Sequence, residues 1–159
     1  MNMSVAVSSN WGIGYKNDLL FRISPDLKRF RRLTMGKTLV MGHNTFKSLP
    51  NQQPLPGRKN IVLSRKLWLE IPGACVANSK EQVMEMTKND ETFIIGGEQI
   101  YRLFLDNCTR IYLTRVHAAP KADCFFPNLD IYPGWYLEHK SGTLHAGGYE
   151  FVYCEYVSK

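Results

Sequence analysis

Through the first two thirds of this chain, short apolar runs rich in β-branched residues alternate with helical patterns; after that, strand-like runs follow one another. The strands read at 3–8, 38–41, 60–63, 74–77, 92–95, 110–116, 135–140 and 149–157, and the helices at 25–34, 44–49, 80–88 and 98–105. Strands separated by helices pair in parallel, because the crossover returns the chain to the same end of the sheet. Consecutive strands pair antiparallel. The order predicts an α/β fold whose mostly parallel sheet ends in a C-terminal antiparallel hairpin, with Gly142, Gly147 and Gly148 supplying its connection.

With 159 residues there is material for one sizeable core but not for two ordinary domains, and no repeat, linker or low-complexity tract divides the chain. A single domain over 1–159 is expected. The formal charge of +6 favours an anionic partner, yet outside 25–35 the bases are scattered and no RNA-stacking motif is present. Nucleic acid is therefore not an expected partner. Neither is a membrane: there is no signal peptide at MNMSVAVSSN and no apolar run near the ~20 residues needed to span a bilayer. Cys75, Cys108, Cys124 and Cys154 form no CxxC or Cys/His spacing, so reduced buried thiols in a cytoplasmic protein are expected, and no metal site.

The stretch LLFRISPDLKRFRR (19–32) holds the most informative acid. Ser24 has the chemistry of an N-cap and Pro25 suits the first helical turn, which puts Asp26 where the helix dipole favours a carboxylate. At about 100° per residue, however, Phe30 lies roughly 40° from Asp26 and Leu33 roughly 20° on its other side, with Leu27 flanking. Lys28, Arg29, Arg31 and Arg32 take the opposite arc, facing water. Two roles are open to Asp26, a dipole-stabilising helix acid and an acid aimed into an apolar pocket.

Two strand-to-helix turns carry phosphate-type chemistry. TFIIGGEQIYRLF sets Gly96 and Gly97 between a buried strand and a helix, where bare backbone can approach a ligand or simply make a tight turn. TLVMGHNTFKSL repeats the arrangement with Gly42, Asn44 and Thr45. In PLPGRKNIVLSRK, Ser64 and Arg65 follow the C-terminal end of a strand, which in an open α/β sheet borders the ligand crevice; hydroxyl and guanidinium suit a phosphate monoester. Arg58 and Lys59 read by default as solvated turn charges, and Thr114 and Asp123 as hydrogen-bonded structural groups. No nucleophile elbow surrounds His43, His117, His139 or His145. Phosphate-type turns and an apolar-facing acid without a nucleophile suggest that a cofactor supplies the reactive atom.

IGYKNDLLFRISPDL, VMGHNTFKSL, PLPGRKNIVLS, FIIGGEQIY, IYLTRV and DCFFP, in this order and at these intervals, resemble the bacterial dihydrofolate reductases over essentially the whole chain. The resemblance implies an eight-stranded sheet with four flanking helices and NADPH-dependent reduction of 7,8-dihydrofolate to tetrahydrofolate in support of one-carbon metabolism. It implies a monomer, with antifolate inhibitors among its ligands. By the same resemblance Asp26 is the carboxylate that hydrogen-bonds the pterin, and Thr114 supports it through the pterin amino group and a water. Val5, Ala6, Leu27, Phe30, Leu49, Leu55, Ile95 and Tyr101 line the pterin and benzoyl pocket, and Arg58 pairs with the substrate α-carboxylate. Ala6, Ile13 and Gly14 face nicotinamide. Gly42, Asn44, Thr45 and Leu63 border the cofactor, as do Gly96, Gly97, Glu98, Gln99 and Ile100, with Thr45 at the pyrophosphate; His43, Ser64 and Arg65 hold the 2′-phosphate. The Gly96–Gly97 peptide is expected to be cis.

Two departures from the family pattern stand out. Leu20-Phe21 replaces the usual Pro-Trp, which removes an indole N–H beside the pterin water, and His43 replaces an arginine, which shifts the phosphate clamp toward Arg65. Two rival functions remain: a fold-related NADPH-dependent pyrimidine reductase of riboflavin synthesis, and a non-catalytic basic binding module. Asp26 with PLPGRKN favours folate over the first, and a carboxylate on the apolar face of the most basic helix does not suit the second.

Overall fold

The computed structural model describes all 159 residues. Eight strands form the main sheet: β1 (Asn2–Val7), β4 (Thr38–Gly42), β5 (Lys59–Leu63), β6 (Cys75–Ala77), β7 (Thr92–Ile94), β8 (Arg110–Val116), β10 (Trp135–Lys140) and β12 (Tyr149–Ser158). Their spatial order is β10-β12-β8-β1-β7-β4-β5-β6. All pairings from β8 through β1 to β6 are parallel, and those of β12 with β8 and of β10 with β12 are antiparallel. The expected α/β class is present, with a mostly parallel sheet that ends in a C-terminal antiparallel pair.

Four helices connect or flank these strands: α1 (Ser24–Thr34), α2 (His43–Lys47), α3 (Lys80–Thr87) and α4 (Glu98–Phe104). The main core joins Met3, Val5 and Val7 of β1 to Ile111 and Leu113 of β8 and to Phe104 beyond them. A second cluster, with Leu39, Met41, Phe46, Val62 and Phe93 at its centre, takes Phe30 and Leu33 of α1 on its surface. Burying that face is what places Asp26 against the sheet, since Asp26 shares the arc with Phe30 and Leu33. No helix is long and apolar enough to cross a membrane.

Several local readings change. Ser24 is the first helical residue rather than the cap; Ile23 occupies the cap position and no side chain bonds the free N–H groups there. Helix α2 starts at His43 and ends at Lys47, shorter than expected. A second small sheet, absent from the sequence reading, pairs β2 (Gly12–Tyr15) with β3 (Asp18–Leu19) and β9 (Cys124–Phe125). Two- to four-residue strands rich in glycine and polar side chains give no periodicity to read. A further short strand, β11 (Leu144–Ala146), lies inside the C-terminal connection and pairs with β12. Cys108 and Cys154 are buried, but Cys75 is exposed and Cys124 only partly covered. Asp123 is exposed and accepts from the Lys16 N–H at 3.0 Å. Arg29 does not face water, for its side chain is only 17% exposed.

Candidate active site

One open cleft of about 1620 Å³ crosses the C-terminal edge of the parallel strands. Its floor is made where β1 and β8 run side by side. Ala6 and Thr114 are register partners there, and Tyr153 of β12 stands across from Thr114 on the other side. Thr114 is 2% exposed, and its hydroxyl donates to Asp26 Oδ1 at 2.6 Å. Burial pushes the Asp26 carboxyl above its ordinary value, opposed first by the Thr114 hydrogen bond and then by the Arg29 charge. The acid of the most basic helix therefore sits half-buried at the base of a pocket, on a threonine from the central sheet.

Apolar walls rise from this floor. Val5 and Ala6 come from β1, Ile95 from just beyond β7, and Leu27 and Phe30 from α1. Leu49 and Leu55 close the opposite side, both packed on the second core cluster. Tyr101 of α4 is fully buried and donates its hydroxyl to the Ser4 carbonyl at 2.7 Å, so it contributes ring surface rather than a free donor. At the outer end stands Arg58, half-buried, with Nε on the Pro56 carbonyl at 3.0 Å and Nη1 on Thr34 Oγ1 at 3.1 Å. Two donations fix the guanidinium plane and leave its other N–H groups free. Burial, then the nearby Arg31 charge, lowers its pKa. Two cations at one mouth without a carboxylate between them suit an anionic tail.

The other arm is narrower and more polar. The Gly42 N–H donates to the Gly96 carbonyl at 2.8 Å, which draws the two strand-to-helix turns together, and the Gly96–Gly97 peptide is cis. A Cβ on Gly42 would press to 3.1 Å from Ile100, whereas one on Gly97 would make ordinary contact with Thr45 Oγ1 at 3.6 Å. Gly96 adopts φ +117°, and a Cβ there would come within 3.2 Å of the Tyr101 ring. Backbone bared in this way leaves a path beside Asn44, Thr45, Gln99 and Ile100. Glu98 also borders it, but its carboxylate already accepts the Phe125 N–H at 2.5 Å and ties α4 to the small sheet. Ile13 and Gly14 enter from β2, where the Gly14 carbonyl accepts from the Asp123 N–H at 3.0 Å.

Beyond the glycines the arm ends among His43, Ser64, Arg65 and Leu63, joined by Lys47 and Lys66. No carboxylate pairs with His43, Lys47, Arg65 or Lys66. Burial lowers the His43 pKa, and Lys47 and Lys66 lower it further. A cradle of bare glycine backbone leading to unpaired cations fits a phosphorylated dinucleotide.

Every site residue read from the sequence lines this one cleft. The sequence reading missed Arg31, Lys47 and Lys66. Lys47 could have been found from its i, i+4 spacing to His43, and Lys66 from its place beside Arg65. Arg31 had no such signal, because the helical projection turns it away from Asp26.

An acid-floored apolar pocket joined to a cationic dinucleotide arm in an α/β sheet defines a nucleotide-dependent reductase. The dihydrofolate reductase family model matches residues 1–157. Dihydrofolate reductase type 3 of Salmonella typhimurium is 35% identical over 159 residues, covering 99% of this chain and 96% of that one. The Bacillus subtilis enzyme is 32% identical and the Buchnera aphidicola enzyme 37%, covering 97% and 85% of this chain and 92% and 84% of theirs. A solved dihydrofolate reductase from Enterococcus faecalis, complexed with NADP(H) and RAB-propyl, superposes with a TM-score of 0.90 at 26% identity, covering 99% of this chain and 95% of that one. This chain belongs to the dihydrofolate reductase family, enzymes that reduce 7,8-dihydrofolate with NADPH. The riboflavin-pathway and binding-module readings are not favoured.

Proposed function

We propose that residues 1–159 act as a single, monomeric, cytoplasmic catalytic unit in which Asp26 is the catalytic carboxylate. The observation that carries this reading is the 2.6 Å bond from Thr114 to Asp26 at the floor of the cleft. Asp26 accepts from the pterin ring and places a negative charge beside it, which makes protonation at N5 easier. Thr114 holds the carboxylate in one orientation and supports the pterin amino group. Val5, Leu27, Phe30, Leu49, Leu55 and Ile95 keep the ring and its benzoyl extension away from water, so the charge acts at low dielectric. Arg58 takes the α-carboxylate of the tail.

NADPH, when bound, supplies the hydride that reaches C6 of the protonated pterin. The chain's part in that step is orientation. Ala6, Ile13 and Gly14 border the nicotinamide end, Thr45 and the Gly96–Gly97 backbone the pyrophosphate, and His43, Ser64 and Arg65 the 2′-phosphate. The test is loss of NADPH absorbance with and without dihydrofolate, run beside a ribosylated pyrimidine substrate. Oxidation that depends on dihydrofolate alone supports the reading; oxidation with the pyrimidine alone overturns it.

A further inference from the structure

Arg29 lies one helical turn from Asp26 and is held on three sides. Its Cζ is 4.2 Å from the Tyr153 ring centroid and 5.8 Å from that of Tyr112, and Nη2 is 3.8 Å from Glu155 Oε1. Tyr153 is also the register partner of Thr114, the residue that donates to Asp26. Guanidinium, phenol ring, hydroxyl and carboxylate thus form one connected group across α1, β8 and β12.

Packing alone does not call for a charge at this place. A leucine or methionine would cover two tyrosine rings without the cost of desolvating a guanidinium. Nor does an ion pair with Glu155 account for it. That carboxylate also faces Arg110 Nη1 at 3.4 Å, and Arg110 in turn holds Glu138 at 2.5 Å. Glu155 divides its charge between two guanidiniums, and Arg29 keeps positive charge to spare.

We infer that Arg29 is a positioning residue for the reaction, a positive charge fixed one helical turn from Asp26 by the Tyr112 ring and, on the strand that flanks Thr114, by the Tyr153 ring and Glu155. The inference rests on the reading of Asp26 as the pocket carboxylate. The groups that bear on Asp26 are Arg29 on its own helix, the Thr114 hydroxyl on β8 and the Tyr153 phenol on β12; Tyr112 and Glu155 touch Arg29, Arg32 bears on Tyr153, and Arg110 and Glu138 act through Glu155. Burial raises the Asp26 pKa, and Arg29 is the cation that opposes it. Asp26 in turn pushes the Tyr153 phenol up, after burial, which places these groups within one electrostatic neighbourhood. Arg29 makes its ion pair with Glu155 and not with Asp26, so its charge can stabilise the carboxylate without occupying the acceptor positions that the pterin uses.

The test follows the Asp26 carboxyl by ¹³C NMR in the free enzyme, and the pH profile of hydride transfer in single turnovers. R29Q removes the charge and should move both midpoints to higher pH, while R29K keeps the charge and should leave them in place. E155Q removes the anion that partly neutralises Arg29 and should move them to lower pH. R29Q midpoints that stay at the wild-type values overturn the role, as does an E155Q shift in the same direction as R29Q. If R29Q does not fold, R29M decides, because methionine covers the two tyrosine rings without the charge: an upward move supports the role and an unmoved midpoint overturns it. D26N is the control. Full turnover in D26N overturns the assignment of Asp26 and this role with it, whereas lost turnover in D26N with unmoved R29Q midpoints overturns the role of Arg29 alone.

Discussion

Thr114 and Asp26 stand 88 positions apart in sequence and share a 2.6 Å hydrogen bond in which the hydroxyl donates and the carboxylate accepts. The sheet sets this geometry. Ala6, Thr114 and Tyr153 lie in register across three adjacent strands, so the hydroxyl is aimed by backbone pairing and not by a loop. The other partner arrives on α1, whose apolar face docks on the second core cluster.

Thr114→Val keeps the shape and removes the donor. The Asp26 carboxyl then loses the largest influence opposing burial and should titrate at still higher pH. A hydrogen bond to a charged group contributes about 1.5 to 3 kcal/mol. A fall of roughly 10- to 100-fold in kcat/KM for dihydrofolate is therefore expected, measured at neutral pH, with little change in the Michaelis constant for NADPH.

Much of this arrangement was legible in the sequence, and the reasons for what was not are specific. Most of the main strands are apolar or β-branched runs bounded by turn residues, so they show in the sequence even where, as at Cys75–Ala77 and Thr92–Ile94, only three residues pair. Asp26 stood out because one acid on an apolar face of a basic helix breaks the binary pattern. The Asp26–Thr114 contact joins two distant elements, and only the resemblance, not the spacing, linked them. Arg29 does not belong with the outward-facing bases even by helical projection: at 100° per residue it lies about 60° from Asp26 and about 40° from Leu33, at the edge of the apolar arc, where Tyr153 and Glu155 of β12 cover it. Ser24 was a fair cap by composition, but the chain enters α1 one residue earlier.

At the far end of the cleft, Arg65 and Ser64 make the 2′-phosphate clamp testable. Arg65 is exposed and has no carboxylate partner, so its removal leaves no buried charge behind. Arg65→Ser should raise the Michaelis constant for NADPH by about 10- to 100-fold, corresponding to about 1.5 to 3 kcal/mol for a charge-assisted contact. NADH kinetics should stay as they were. Unchanged discrimination between the two nucleotides would show that the clamp lies elsewhere.

His43 makes the same clamp sensitive to pH. Burial, Lys47 and Lys66 all favour the neutral imidazole in the free protein. A phosphate dianion beside it favours the imidazolium, so the pKa with NADPH bound exceeds that of the free protein and binding takes up a proton. Affinity for NADPH should accordingly weaken as pH rises from about 6 to 8, while affinity for NADH stays flat. His43→Arg, charged throughout that range, should abolish the slope. Fluorescence titration of both nucleotides at each pH measures it.

Asp26→Asn separates the two roles open to this acid. If the residue is the pocket carboxylate, losing its charge should cost about 2 to 4 kcal/mol of transition-state stabilisation at neutral pH, on the scale of other single electrostatic deletions. Much of the rate should return in acid, where solvent protonates N5 without help. Stability should move the other way. The folded pKa of Asp26 is raised above its ordinary value of 3.8, so between those two values the native state binds more protons than the unfolded chain and stability falls as pH rises. Above the folded pKa the charge is a standing cost, which asparagine removes; the mutant should therefore unfold at equal or higher denaturant at pH 7. Below 3.8 both carboxyls are neutral and the two proteins should converge. A helix acid serving the dipole of α1 predicts the reverse at neutral pH, a mutant that unfolds more easily and turns over normally. Denaturant unfolding at both pH values, beside the pH profile of hydride transfer, decides between them.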